Sequence, residues 1–132
     1  MPRVVLVDDE PSVRNALRPL LERMMIDVIA EASDGIEAVE VVLRVKPDVV
    51  LMDVRMPGMD GFEATREIKD AMPTVQVVFV TAYEEPHPTR SAAETGAYAF
   101  LLKDSPPELM GDVIHRAAQT KHELDIRERH EA

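Results

Sequence analysis

The sequence predicts an α/β fold: an open, doubly wound sandwich around a five-stranded parallel sheet in the order 2-1-3-4-5. Three observations carry this. Short apolar runs alternate five times with longer segments of helical periodicity, the pattern of strand–helix units. Four of the five apolar runs are nearly uninterrupted, as in parallel strands buried on both faces. The length, 132 residues, suits one domain with one sheet. The five-stranded member of this class commonly has the stated order, with its site beyond the carboxyl ends of the strands where the first and third diverge.

Each element has its own justification. Val4-Val5-Leu6-Val7 is the first strand, stopped by Asp8-Asp9-Glu10. Val13, Leu17, Leu20, Leu21 and Met24 then fall at helical spacing, with Pro19 inside, where it should kink the helix or remove one hydrogen bond. Asp27 to Ala30 is a weaker second strand, closed by Ser33-Asp34-Gly35. Ile36, Val39 and Leu43 mark a second helix ending near Lys46-Pro47. Val49-Val50-Leu51-Met52 is the third strand and runs into Asp53. Turn formers fill Arg55 to Gly61, and Phe62 to Ala71 is a third helix stopped by Pro73. Val75 to Val80 is the fourth strand, followed by a polar loop from Thr81 to Thr89. Ala92 to Gly96 allows only a short or irregular fourth helix, for which Pro86 and Pro88 stand at the start. Tyr98 to Leu102 is the fifth strand. Ser105-Pro106-Pro107-Glu108 opens the last helix, with Ser105 at the cap and Glu108 in capping-box position. From Gln119 onward the chain is highly charged, either a helix extension or a frayed tail. Leu109, Val113, Ala117, Thr120 and Leu124 make a stripe that an interaction helix could use, broken at Thr120.

Composition excludes several classes of function. The chain has no cysteine, so disulfides, zinc–thiolate sites and thiol nucleophiles are ruled out. Lys plus Arg number 15 against 25 Asp plus Glu, and the resulting charge of -10 repels nucleic-acid and lipid phosphates. The four apolar residues after Arg3 are too few for a signal-peptide core, and no run approaches a membrane span. A cytoplasmic location is the simplest expectation. His87, His115, His122 and His130 share no metal-ligand spacing and read as solvated side chains, and the eight Met residues as core filler plus the initiator.

The fold rule then says where to look. Asp8, Asp9 and Glu10, then Asp53, Thr81 and Lys103 all stand just past strand ends, so carboxylates, one hydroxyl and one ammonium should share a crevice. Carboxylates so close need a proton or a cation. Hard oxygen donors without His or Cys favour Mg²⁺. Such a metal beside a lysine and a hydroxyl is a device for phosphoryl transfer. One carboxylate can then act as nucleophile and form an aspartyl phosphate. Asp53 is the best choice, since it ends the central strand without an acidic neighbour, while Asp8 and Asp9 are better placed as ligands. No Gly-rich Lys-Ser/Thr phosphate loop is present, so a nucleotide is not the evident donor.

Four segments in this order, Val7-Asp8-Asp9-Glu10, Leu51 to Gly61, Val80-Thr81-Ala82 and Gly96-Ala97 to Leu101-Leu102-Lys103, resemble the bacterial response-regulator receiver domain, the phospho-acceptor module of two-component signalling. The resemblance covers residues 3–120 and leaves 121–132 as a charged helical extension or disordered tail. It implies a flavodoxin-like sandwich, and the strand order is as much a family trait as a consequence of the alternation. It implies that Asp53 accepts a phosphoryl group from a histidine kinase or a small donor such as acetyl phosphate. Asp8, Asp9, Asp53 and the main-chain carbonyl of Arg55 would hold Mg²⁺ or Mn²⁺. Thr81, Lys103 and the main chain of Ala82 would bind the phosphoryl oxygens. Thr81 and Phe100 would form the switch that reshapes the face of the fourth helix, fifth strand and last helix. That face would meet an output domain or protein, or a second copy of the chain. Arg55 and Tyr83 would set water access to the phosphoryl group and so its lifetime.

The resemblance also implies a protein that catalyses its own phosphorylation and dephosphorylation but is not a stand-alone enzyme. Asp104 after Lys103 is common in receivers attached to LuxR-type helix-turn-helix domains, whereas many receivers carry Pro there. Phe100 lacks the hydroxyl of the frequent Tyr. After the fifth strand only a helix and tail remain, which implies a stand-alone receiver or a fragment of a longer regulator, with no nucleic-acid or membrane contact of its own. Two rivals stand beside this reading. An aspartyl-phosphate phosphatase needs a second acid two residues after the nucleophile, where Arg55 stands. A pseudo-receiver that only binds partners would lose site residues that this chain keeps.

Overall fold

The computed structural model describes residues 1–82 and 93–131 of the chain. Five strands, β1 (Arg3–Val7), β2 (Asp27–Ala32), β3 (Val49–Met52), β4 (Gln76–Thr81) and β5 (Ala99–Leu102), pair in parallel in the order β2-β1-β3-β4-β5. Four helices are described: α1 (Pro11–Arg23), α2 (Gly35–Val45), α3 (Gly61–Ala71) and α4 (Pro107–Glu131). The doubly wound sandwich expected from the alternation is therefore present.

Period-2 alternation in β1, β3 and β4 divides the core in two. Val5, Val7, Val50, Met52, Val77 and Phe79 face α2 and α3, where they meet Ala38, Val42, Ala64 and Ile68. Val4, Leu6, Val49, Leu51, Val78 and Val80 face α1 and α4, where they meet Leu21, Met110, Ile114 and Ala117. Phe79 is fully buried and meets Phe62 edge to face, with ring centroids 5.1 Å apart. Loss of so large a buried ring leaves a cavity, so Phe79→Ala should cost about 3–5 kcal/mol in urea unfolding.

Local chemistry sets the helix ends. Pro11 opens α1 at a position where its fixed φ suits the first turn. Asp34 and Asp60 cap α2 and α3 by accepting the amides of Glu37 and Glu63 at 2.8 and 2.9 Å. Pro19 does not end α1. It and Asn15, whose carbonyl loses the proline's missing N–H, both lie on the exposed side, where water can replace the bond. Met25, just past α1, sits at φ 61°, and the amides of Met25 and Ile26 close the turn on Glu22 and Leu21. Its side chain is 60% exposed, so Met25→Gly should relieve the left-handed strain and raise stability by about 1 kcal/mol, read as a higher melting temperature.

Several sequence expectations need correction. β5 is only half-buried along its whole length, not buried on both faces, because it is the edge strand, with β4 its one neighbour among the described strands. Tyr98 lies outside it, 37% exposed, with its amide bonded to Val77. Thr81 is the last residue of β4 rather than the first of a loop. The expected capping box at Ser105 is displaced: α4 starts at Pro107, and the carbonyl of Pro106 accepts the amides of Leu109 and Met110. Of the expected fourth helix, Ala93 and Glu94 are helical and Gly96, at φ 83°, ends the turn; Pro86, His87, Pro88 and Ala92 lie outside the described residues. The charged C-terminal segment continues α4 as helix through Glu131. The α4 stripe divides: Val113 and Ala117 pack in the α1–α4 core, whereas Leu109 is 45% exposed; beyond it, Lys121 lies 3.8 Å from Asp48 and 2.6 Å from Asp125. The exposed His115 ring is held to the carbonyl of Met24 at 2.8 Å.

Candidate acidic metal and phosphoryl site

Parallel register delivers the site residues to one end of the sheet. Val7 pairs with Met52, and the amide of Asp53 continues that ladder onto the carbonyl of Val7 at 3.0 Å. The amide of Asp8 bonds the carbonyl of Ala32 at 3.1 Å, and that of Lys103 bonds the carbonyl of Thr81 at 2.9 Å. Backbone pairing thus brings the first-loop acids, the central acid and the lysine to one edge.

The carboxylates converge there. Asp8, Asp9 and Asp53 each offer an oxygen within 4.8 Å of the others. Asp8 is 2% exposed and Asp53 6%, while Asp9 lies at the water-facing side of the group. The ammonium of Lys103 donates to Asp8 Oδ2 at 2.8 Å and reaches Asp53 Oδ2 at 3.5 Å. The amide of Glu10 donates to Asp8 Oδ1 at 2.9 Å, while the Glu10 residue itself is exposed.

Burial sets the electrostatics. It pushes the Asp53 carboxyl up from 3.8 to about 6, with the charge of Asp8 adding to the rise. Lys103 and the amide of Arg55, both bonded to the carboxylate, oppose it. Burial alone would lower Lys103, yet its hydrogen bond to Asp8 and the charges of both acids raise it, so it stays an ammonium. Three carboxylates against one cation leave a surplus of negative charge. Oxygen donors of this kind, close and partly desolvated, fit a small hard divalent cation. Since Lys103 occupies one Asp8 oxygen and adds positive charge, Lys103→Ala should tighten Mg²⁺ binding several-fold, as measured by calorimetry. Weaker binding would show that the ammonium, instead of competing, organises the donors.

The remaining expected residues divide. Thr81 ends β4, fully buried, opposite Leu102. Ala82 and Lys103 line one open hollow of about 380 Å³ with Leu102 and Asp104. Arg55 is exposed and beside a second, of about 370 Å³. Phe100 is half-buried against the α2–α3 core. Tyr83 lies outside the described residues.

Three contributors carry no site role read from the sequence, although Gly61 ends one of the four segments named above. Gly61 opens α3 against the backbone that follows β3: a Cβ there would lie 2.2 Å from the carbonyl oxygen of Asp53. Arg14 on α1 donates to the main-chain carbonyl of Asp8, and Glu31 on β2 holds Arg14 at 2.9 Å. The spacing of Arg14 and Arg18, one helical turn apart, is the only sequence signal for that cluster.

Known proteins bear on this geometry. The family model for the response regulator receiver domain matches residues 4–115. The chain is 39% identical over 123 residues to the transcriptional regulatory protein LnrK of Bacillus subtilis, covering 92% of this chain and 54% of that protein. It is 38% identical to LiaR of the same organism, covering 95% and 60%. The chain therefore spans little more than half the length of these relatives. Among solved structures, a LuxR-family two-component response regulator from Aurantimonas superposes with a TM-score of 0.85 at 34% identity, covering 90% of this chain and 86% of that one. Among the described residues no helix is long and apolar enough to cross a membrane. With an acidic group at the carboxyl edge of a 2-1-3-4-5 sheet and the family model spanning most of its length, the chain belongs to the response regulator receiver family.

Proposed function

We propose that the chain is a phospho-acceptor switch that takes a phosphoryl group onto Asp53 from a phosphohistidine of a histidine kinase or from acetyl phosphate. The convergence of Asp8, Asp9 and Asp53 with Lys103 bonded between two of them is the observation that carries the reading. A carboxylate oxygen of Asp53 attacks phosphorus. The bond from phosphorus to the donor's nitrogen or oxygen breaks, and the imidazole or acetate leaves with the electron pair. Mg²⁺ or Mn²⁺, held by Asp8, Asp9, Asp53 and the carbonyl of Arg55, supplies neutralisation of the charge gathering on the phosphoryl oxygens.

Lys103 pairs with one of those oxygens once Asp53 is esterified, since that carboxylate no longer carries its full charge. Thr81 and the main chain of Ala82 donate to the others. Inward movement of Thr81 opens space for Phe100, and the two-state face around β5 and α4 shifts population. Hydrolysis of the acyl phosphate resets the switch at a rate tuned by Arg55 and Tyr83. Residues 3–120 act as the switch, and the helix from residue 121 onward leads out of it.

The named relatives are transcriptional regulators, and the Lys103-Asp104 pair fits that LuxR-type group. The output is therefore regulation of transcription through a further domain or partner, inside the cytoplasm where a kinase has ATP. Incubation with acetyl phosphate and Mg²⁺ should add one phosphoryl group by intact mass, and Asp53→Asn should add none. Labelling of the Asn variant to the wild-type extent would reassign the acceptor, and no labelling of wild type would favour a pseudo-receiver.

A further inference from the structure

Behind the acidic group lies a second charged cluster that the chemistry above does not use. The carbonyl of Asp8 accepts a hydrogen bond from Nη1 of Arg14. The same guanidinium gives its Nε to Glu31 Oε1 at 2.9 Å, and the other oxygen of Glu31 takes Arg18 at 2.8 and 3.0 Å. Arg14 and Glu31 are largely shielded, with side chains 16% and 28% exposed. The planar fork of an arginine bonds two acceptors at once in fixed directions, which a lysine does not reproduce.

A local irregularity puts Glu31 there. The β1–β2 register slips between Val4 and Val5: Val4 pairs with Val28 but Val5 with Ala30, leaving Ile29 as an extra residue. Ile29 and Ala30 consequently both pack toward the α2–α3 core, and Glu31 pairs with Leu6, whose side chain faces α1. Without the bulge Glu31 would stand opposite Val7, on the α2–α3 face, away from Arg14. Since a one-residue slip reverses every side chain, the bulge is what aims this carboxylate at α1.

The carbonyl that Arg14 holds belongs to the planar peptide joining Asp8 to Asp9. Fixing it fixes the direction in which Asp9 leaves the strand. The amide of Asp8 is already tied to Ala32, and its side chain to Glu10 and Lys103. The Glu10 carbonyl takes the amides of Val13 and Arg14, and the Arg14 guanidinium adds the constraint on the Asp8 carbonyl. We propose that Arg14, locked by Glu31, is a positioning residue of the cation site: it sets the Asp8–Asp9 peptide so that both acids converge on Asp53. This rests on the phospho-acceptor reading, in which those acids hold Mg²⁺.

The test uses the full chain with Arg14→Ala, Arg14→Lys, Glu31→Gln and, as control, Arg18→Ala, which touches Glu31 but not the turn. Calorimetric titration with Mg²⁺ should show the dissociation constant rising about tenfold in Arg14→Ala. Arg14→Lys and Glu31→Gln should move it the same way by a smaller factor, and Arg18→Ala should leave it within about twofold of wild type. Labelling by acetyl phosphate should need more Mg²⁺ in Arg14→Ala yet reach a similar rate at saturation, a split that general destabilisation would not give. In metal-free protein the amide signals of Asp9 and Glu10 should shift and broaden in Arg14→Ala and not in Arg18→Ala. Where wild type binds Mg²⁺, an unchanged constant in Arg14→Ala overturns the proposal. Should wild type not bind Mg²⁺ at all, the phospho-acceptor reading fails, and unchanged Asp9 and Glu10 amides in the variant overturn the positioning role by themselves.

Discussion

Asp53→Asn should make the metal-free protein more stable by about 1–3 kcal/mol at pH 7.5, and the gain should vanish as the pH falls below about 4. Burial and the neighbouring Asp8 raise the folded-state pKa of Asp53 from 3.8 to about 6. A raised carboxyl pKa means that the unfolded chain gives up the proton first. Below about pH 4 the group is protonated in both states and contributes nothing. Between about 4 and 6 the unfolded state is progressively favoured, and above the folded pKa the full penalty applies. Asn keeps the shape without the charge, so it removes that penalty, although Lys103 loses one of its two acceptors. Urea unfolding in EDTA at several pH values measures the difference between the two chains. A gain independent of pH, or a loss at pH 7.5, would show that Asp53 is not a desolvated, repelled carboxylate. If Asp53 is a ligand as proposed, added Mg²⁺ should stabilise wild type and do much less for the variant, which lacks that carboxylate. The acid that the proposed switch would phosphorylate is thus also a destabilising charge in the metal-free fold.

Gly61→Ala is expected to cost about 3 kcal/mol and to weaken Mg²⁺ binding about tenfold. The added Cβ would lie 2.2 Å from the Asp53 carbonyl oxygen and 3.0 Å from Val54 Cα. Both are backbone atoms, of Asp53 and of the residue after it, so no flexible side chain can give way. Nor can Gly61 retreat, because its amide bonds Val54 at 2.9 Å and its carbonyl takes the buried hydroxyl of Thr65 at 2.7 Å. The strain must therefore move Asp53 or the start of α3. Gly58→Ala is the informative comparison: Gly58 has φ 73° but open space around it. There the cost should be about 1–2 kcal/mol of backbone strain, with Mg²⁺ affinity kept. Unfolding curves and calorimetry on both variants check the pair. Equal Mg²⁺ affinities would mean that the contact of α3 with the Asp53 backbone does not set the site.

Much of the architecture was legible because its causes are short-range. Val4–Val7, Val49–Met52 and Gln76–Thr81 are β-branched and apolar runs that bury both faces, and the helical stripes between them face one side. Asp34 and Asp60, read from the sequence only as turn residues, prove to cap α2 and α3. The misplacements cluster where burial, not propensity, decides. β5 reads like a central strand, yet its edge position leaves it half-exposed. Thr81 reads like a loop residue, yet pairing with Leu102 keeps it in β4. The segment from Gln119 reads equally well as tail or helix. Docking of Ala117, Ala118 and Lys121 accompanies its continuation as helix.

The sequence alone determined which residue types stand at the strand ends: acids after β1 and β3, a hydroxyl at the end of β4 and a lysine after β5. A strand's end is marked locally, by the residues that stop an apolar run. Only the tertiary structure decided how those groups share charge, with Lys103 on Asp8 at 2.8 Å and farther from Asp53 at 3.5 Å. It also decided that a bulge turns Glu31 toward Arg14 and that Gly61 lies against the backbone of Asp53. These depend on register between strands that are distant in the chain. A slip of one residue there moves a side chain to the opposite face while leaving every local pattern in the sequence unchanged.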